Sequence, residues 1–186
     1  MVAFRKRYQE NTALLTFCKY IADICMVIVV AYTLVLFLCS RTTVIGSSME
    51  PAVYNDDTVM INKIAYAFTG PQRYDVIAFK PDSVTSDRVY IKRVIGLPGE
   101  TIQIIDGKVY INDKQLDTDV VDIDILTSGI AATPVQLGED EYFVLGDNRN
   151  NSEDSRFANI GLVKKKNIIG NVWLVYKPFK HFGFIK

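Results

Sequence analysis

Thiols end early in this chain. The sequence of 186 residues has three cysteines, Cys18, Cys25 and Cys39, and none from Ser40 onward. A disulfide framework is therefore excluded for the larger part of the chain, and so is C-x-x-C metal or redox spacing. A thiol-free region suits an oxidising compartment, because nothing in it can mispair. Histidine is nearly as scarce. His181 is alone, close to the C-terminus among Phe179, Lys180, Phe182 and Phe184, which suits a surface or membrane-proximal tail. A Ser-His-Asp triad would hang on that one residue. Net charge is zero, so nothing favours nucleic acid as a partner. No run of like charges marks a disordered tail. Repeats and low-complexity tracts are absent, and neither a metal nor a cofactor is expected.

What the chain does have is one unbroken apolar run. Ile24 to Cys39 carries no charge, and extending it back to Tyr20 gives about twenty residues, enough to cross a hydrocarbon layer. Asp23 falls near the edge of that span, where a charge costs less than at the centre. Arg5, Lys6, Arg7 and Lys19 precede the run and only Arg41 follows closely. This bias puts residues 1–19 in the cytoplasm, a transmembrane anchor at 20–39 and residues 40–186 outside. A cleavable leader would want small residues at its cut, and Leu38-Cys39-Ser40 is a poor match.

Beyond Ser40 short β-branched runs alternate with turn residues. Strands are predicted at Thr58–Asn62, Tyr74–Lys80, Arg88–Ile95, Thr101–Ile105, Lys108–Ile111, Tyr142–Leu145 and Asn171–Tyr176. Asp106-Gly107 is a hairpin-turn signal, and Leu97-Pro98-Gly99 ends another strand. The fold class is mainly β: one N-terminal transmembrane helix, then an antiparallel sheet or partly closed barrel. Residues 113–138 are polar, acidic and weakly patterned, an excursion from the core. The outer part is long enough to bury a core without disulfides.

Three polar clusters interrupt this pattern. Gly46-Ser47-Ser48-Met49-Glu50-Pro51 places a serine in a Gly/Pro-bounded turn just beyond the anchor. A serine hydroxyl is a weak nucleophile and needs an adjacent base. Lysine can act as one only when neutral, against an ordinary pKa of about 10.4, and desolvation lowers that value. Lys92 lies in Val89-Tyr90-Ile91-Lys92-Arg93-Val94-Ile95. Strand alternation puts Tyr90, Lys92 and Val94 on one face and Ile91, Arg93 and Ile95 on the other. Both faces are largely apolar, so the pattern does not turn Lys92 inward, and taken by itself it favours a strand lysine with its head in solvent. The third cluster, Leu145 to Arg156, is dense in short hydrogen-bonding side chains. Ser152 or Ser155 can hold an amine, and Asp147 and Asp154 can pair with Arg149 and Arg156 to brace the loop. The plain alternative is an Asx-rich turn.

These clusters, in this order behind a single anchor, resemble the bacterial type I signal peptidases over almost the whole chain. Gly46 to Pro51 is similar to the nucleophile box, with Ser48 as the catalytic serine. Asp57 to Lys63 is similar to the next box. Tyr74 to Lys80 and Tyr90 to Gly99 resemble the box of the general-base lysine, which falls on Lys92. Gly146 to Arg156 resembles the last box. The resemblance implies that Ser152 orients the amine, that Asp154 and Arg156 form a structural ion pair, and that Asp147 braces the site. It implies an oxyanion held by the Ser48 backbone N–H. Where some members carry a second hydroxyl donor this chain has Gly46, as is usual in the Gram-positive branch. Ala52 departs from the usual threonine after Pro51. The implied substrates are secretory preproteins with small residues at −1 and −3, extended along an edge strand, and membrane lipid is the other partner. Val44, Ile45, Met49, Val53, Tyr90 and Ile91 are the implied pocket lining, although each also suits ordinary core packing. Three other readings compete: a silent preprotein-binding relative, a self-cleaving regulator and a tethered structural β module. The first would lose Ser48 or Lys92. The second wants a DNA-binding module and an internal cleavage site. The third leaves the polar clusters unexplained.

Overall fold

The computed structural model describes residues 12–82, 88–116, 120–121 and 123–185. Arg5, Lys6 and Arg7, on which the orientation rests, fall outside these residues, as do positions 117–119 and 122 of the excursion. The chain forms two compact units, Met1–Leu38 and Cys39–Lys186.

The first unit holds one helix, α1, Thr12–Leu38. Its stretch Ala13–Thr33 is long and apolar enough to cross a membrane. Side chains from Ala13 to Thr33 are exposed, and apolar ones occur all round, as in a helix with no polar stripe to turn toward water. Thr33 Oγ1 donates to Val29 O at 3.0 Å and Val30 O at 2.9 Å, so this hydroxyl is satisfied inside the helix, as hydrocarbon requires. The helix begins earlier than the apolar run suggests. Leu14, Leu15 and Phe17 continue the pattern behind Lys19 and Asp23, which stand four residues apart on one helix face.

The second unit is built of strands β1 Cys39–Thr43, β2 Thr58–Asn62, β3 Val76–Phe79, β4 Tyr90–Gly96, β5 Thr101–Ile105, β6 Lys108–Ile111, β7 Lys114–Gln115, β8 Val135–Gln136, β9 Glu141–Leu145, β10 Val163–Lys164, β11 Ile168–Lys177 and β12 Gly183–Phe184. The larger sheet runs β1-β2-β11-β3-β4-β9-β10, with β12 added to β11. The smaller sheet runs β7-β6-β5-β8. All pairings are antiparallel.

The hairpin between β5 and β6 turns on Asp106 and Gly107, both at positive φ (49° and 77°). That is the geometry a two-residue primed turn demands and glycine accepts freely. The other strand that ends in a turn signal, β4, lies near the middle of the larger sheet and is buried from Ile91 to Gly96. Apolar residues fill both its faces, as expected of a strand covered on two sides. Ile91 joins Val44, Val59, Val76 and Val172 in one core cluster. Val94 joins Ile77, Phe79 and Val144 in another. Ile95, Phe143 and Leu145 pack with Ile102 of the smaller sheet and with Leu137, just past β8, in a third. Two charged residues, Lys92 and Arg93, are thus carried into the core, at 4% and 1% exposure.

β2, β5 and β6 have the bounds read from sequence, while β11 is longer at both ends. Five short strands were not foreseen. β1 reads Cys-Ser-Arg-Thr-Thr, too polar to signal burial, and it exists because β2 offers a ladder from Cys39↔Asn62 to Thr43↔Thr58. Part of the excursion returns as β7, β8 and a helical turn at Gly129–Ala132.

Phe143 is fully buried where the two sheets share a core. Phe143→Ala should cost about 3–5 kcal/mol of stability, read by urea denaturation of the detergent-solubilised chain. A loss under 1 kcal/mol would mean that the shared core is not where the unit is held together.

Candidate active site

The turn after β1 is pinned by its own sequence. Val44 N–H donates to Asp57 O at 2.8 Å and Asp56 N–H to Val44 O at 3.0 Å. Gly46 N–H donates to Asn55 Oδ1 at 2.7 Å. Glu50 N–H reaches Ser47 O at 3.2 Å. Met49 is 1% exposed and sits in the same core cluster as Ile91 and Val53. Ser48, between the bound Ser47 and the buried Met49, is half-buried.

Lys92 meets it from β4. Its Nζ lies 2.6 Å from Ser48 Oγ in a hydrogen bond. Ile77 stands directly opposite Lys92 across the β3–β4 ladder. Burial pushes the lysine pKa down to about 8, while Asp154, Glu153 and Asp147 pull it up and Arg156 pushes it down. Desolvation is the larger effect, so near neutrality the amine is far closer to deprotonation than a lysine in water.

The loop from Gly146 to Arg156 closes the site, and two buried ion pairs shape it. Asp147 accepts from Arg93 Nε at 2.7 Å and Nη2 at 2.6 Å. Asp154 accepts from Arg156 Nε and Nη2, both at 2.8 Å. All four side chains are at most 2% exposed. Each pair is bidentate, the geometry in which arginine and carboxylate match best. Asp154 Oδ2 also takes Gly146 N–H at 3.1 Å, and Arg156 Nη2 donates to Arg149 O at 2.5 Å. Ser155 is zipped to β9: Val144 N–H donates to its Oγ at 3.0 Å, and its own N–H to Val144 O at 3.1 Å.

Loop and turn are sewn together. Asn148 N–H donates to Ser48 O at 3.0 Å. Asn148 Nδ2 donates to Ser47 O at 3.2 Å, and Asn151 Nδ2 to Ser47 Oγ at 2.8 Å. Gly146 permits the approach. A Cβ there would fall 2.2 Å from Ser152 Oγ and 2.4 Å from Ser48 O, so any side chain would push the serine away. Ser152 Oγ is buried beside Gly146, without a hydrogen-bond partner among the described residues.

A cleft of about 920 Å³ opens over this junction. Val44, Ile45, Met49, Tyr90 and Ile91 line it together with Ser48, Lys92 and Ser152. Val53 does not; it is fully buried in the core with Val59 and Val175. Its main chain, bonded to Met49 O at 2.9 Å, supports the turn from behind.

Other placements differ from what the sequence suggested. The partner of Asp147 is Arg93, which sequence reading left unassigned. The available clue was a charged residue inside an apolar run, since a buried arginine calls for an acid. Ser155 bonds β9. His181 is half-buried, with Nδ1 2.8 Å from Oδ1 of the buried Asp57 and its ring stacked at 4.6 Å on Tyr54. Phe179, Phe182 and Phe184 around it are exposed. Among the described residues no group of three or more His, Cys, Asp or Glu side chains could hold a metal ion. Asn148 and Asn151 carried no distinguishing signal in an Asx-rich loop.

Comparison with known proteins places the chain in a family. Residues 17–177 match the family described as signal peptidase, peptidase S26. A probable signal peptidase I-2 from Synechocystis is 33% identical over 153 residues, covering 80% of this chain and 68% of the relative. Signal peptidase I P from Bacillus subtilis subsp. natto is 33% identical over 176 residues, covering 90% and 92%. A crystal structure of a signal peptidase I from Enterococcus faecalis is 37% identical, covers 55% of this chain and 96% of that one, and has a TM-score of 0.44. The chain belongs to the signal peptidase S26 family and is a peptidase.

The Arg93–Asp147 pair yields a prediction. Asp147→Asn strips the neutralising charge from a buried guanidinium and should cost about 3–5 kcal/mol, because breaking one side of a buried pair strands the other. Replacing both partners together with apolar residues should cost less. Urea denaturation of the two variants compares them, and equal losses would contradict the pairing.

Proposed function

We propose that the chain is a membrane-anchored serine endopeptidase that removes signal peptides from secretory preproteins, with Ser48 as nucleophile and Lys92 as general base. The observation that carries this reading is the 2.6 Å contact between Lys92 Nζ and Ser48 Oγ, made by an amine that is 4% exposed. A hydroxyl and a desolvated amine at that distance have the geometry that proton transfer requires.

The steps follow from the contacts. Ser48 Oγ attacks the scissile carbonyl carbon while its proton passes to neutral Lys92. The tetrahedral oxyanion is met by the Ser48 backbone N–H, which among the described residues has no acceptor of its own, so it is available to developing charge. Collapse breaks the C–N bond. The ammonium of Lys92 protonates the departing amine, which is the N-terminus of the mature protein. Water then attacks the acyl-enzyme and gives its proton to Lys92. The signal peptide leaves with a new carboxylate and Ser48 is restored. Ser152 Oγ, buried and unpartnered, supplies the further contact that orients the amine. Asp147, Asp154 and Arg156 hold the loop that excludes water.

Substrate preference follows from the cleft wall. Val44, Ile45, Met49, Tyr90 and Ile91 are apolar or aromatic, which suits small apolar residues at −1 and −3. Among the described residues β1 pairs on one side only, which leaves an edge for an extended chain. Helix α1 serves as the anchor. Arg5, Lys6, Arg7 and Lys19 hold the N-terminal side in the cytoplasm, so the site works outside, on preproteins delivered at the same membrane. A silent binding relative would have no use for a dry lysine, whose burial costs the fold stability.

Two predictions test this. Ser48→Ala and Lys92→Ala should each abolish cleavage of a labelled preprotein by the solubilised chain, with folding intact by circular dichroism. Near-normal activity in Lys92→Ala would remove the base from the mechanism. Secondly, kcat/KM should rise with pH and level off above a midpoint of about 8. The sign follows from the chemistry, because only the deprotonated amine accepts the serine proton. A profile already flat from pH 6 upward would rule out a lysine titrating there.

A further inference from the structure

The nucleophile is flanked by two peptide units, and one residue holds both. The unit between Ser48 and Met49 is fixed at its oxygen by Asn148 N–H, at 3.0 Å. The unit between Ser47 and Ser48 is fixed at its oxygen by Asn148 Nδ2, at 3.2 Å, and by Glu50 N–H, also at 3.2 Å. This second unit carries the Ser48 N–H at its other end. Glu50 belongs to the same turn and moves with it. Asn148 belongs to the loop that Asp154–Arg156 and Arg93–Asp147 lock against the sheet. The carboxamide of Asn148 is therefore the external reference for the plane of the peptide whose N–H faces the oxyanion.

We infer that Asn148 is a positioning residue for the oxyanion site: its side chain orients and polarises the Ser47–Ser48 peptide so that the Ser48 N–H is aimed at developing negative charge. This rests on Ser48 being the nucleophile. Two physical effects act together. A peptide is planar with its N–H opposite its C=O, so restraining the oxygen restrains the direction of the N–H. A donor on the carbonyl oxygen also draws electron density from the nitrogen and strengthens the N–H as a donor, since hydrogen bonds in a chain reinforce one another. The need is acute here because Gly46 brings no side-chain hydroxyl to the oxyanion. The Ser48 N–H must then work with less help, and an error in its aim has a large effect on rate.

The inference separates orientation from binding. Asn148→Ala removes the carboxamide but keeps the backbone bond to Ser48 O. Asn148→Asp keeps the shape and places a carboxylate oxygen against Ser47 O, where it repels. Both should lower kcat for preprotein cleavage, Ala by about tenfold to a hundredfold and Asp by more. Loss of a whole oxyanion donor sets the upper bound at about a hundredfold to a thousandfold. KM should stay in place in both, and so should the pH midpoint assigned to Lys92 in Asn148→Ala; Asn148→Asp should move that midpoint upward, because a carboxylate near the amine favours its ammonium. A peptide aldehyde, which forms a tetrahedral adduct with a serine, should lose affinity in parallel with kcat. Binding of uncleaved preprotein, measured in a Ser48→Ala background, should not change. A merely structural role would weaken aldehyde and preprotein together and lower the melting temperature, and that outcome overturns the inference. So does full kcat in a folded Asn148→Asp variant. If Ser48→Ala itself still cleaves, the fault lies with the nucleophile assignment and not with Asn148.

Discussion

Everything at this site depends on keeping one amine dry. Lys92 is carried into the core by a strand that the sheet covers on both faces, and there its ammonium form is penalised. The penalty is real for the fold. The folded protein holds the lysine pKa at about 8, whereas an unfolded chain holds it near 10.4. Between those values the unfolded state binds more protons, so stability rises with pH across that window and is lowest below it. At neutral pH the difference is worth roughly 3 kcal/mol against folding, a substantial share of what a domain has in hand. On the proposed reading of Lys92 as the base, that cost is one in which chemistry is favoured over stability.

The neighbour on the same strand shows how selectively this is arranged. Lys92 and Arg93 are adjacent and both buried, yet they point to opposite faces and meet opposite treatment. Arg93 receives a bidentate carboxylate and a backbone carbonyl, Tyr74 O at 2.8 Å. Lys92 receives a hydroxyl. Had an acid been placed against Lys92, its ammonium would have been stabilised and its basicity near neutrality lost. Acids do stand in the loop above it, and Asp154, Glu153 and Asp147 pull its pKa up. Asp147 and Asp154 are each paired with an arginine, so the two ion pairs brace the loop and direct those two carboxylates to a guanidinium. Arginine suits this task because its fork satisfies both carboxylate oxygens and stays charged.

The larger sheet, the hairpin at Asp106-Gly107 and the strand carrying Lys92 were legible because β-branched runs and turn residues are local signals. The short strands were not, since a two-residue strand such as Val163–Lys164 has no pattern of its own and exists only because β9 is there to pair with it. The residues that the boxes single out, Ser48, Lys92, Ser152, Asp147, Asp154 and Arg156, lie around one junction in the structure. Arg93 could not be assigned, because alternation within β4 leaves open which face finds an acid. Val53 and Met49 illustrate the same limit. Both are apolar residues near the serine, yet one is wholly core while the other reaches the cleft wall, a difference set by how the turn folds back on itself.

The sequence alone determined the parts and their kinds: an apolar span, a β-rich unit free of thiols, a serine in a tight turn, a lysine in an apolar strand and a polar loop able to brace itself. These depend on composition and on spacing along the chain. Tertiary structure alone decided that the lysine faces inward, that its tip meets the serine and not an acid, and that an asparagine side chain from a distant loop grips the serine's own peptide. Desolvation and hydrogen-bond geometry arise between segments about a hundred residues apart, and no property of any one segment contains them.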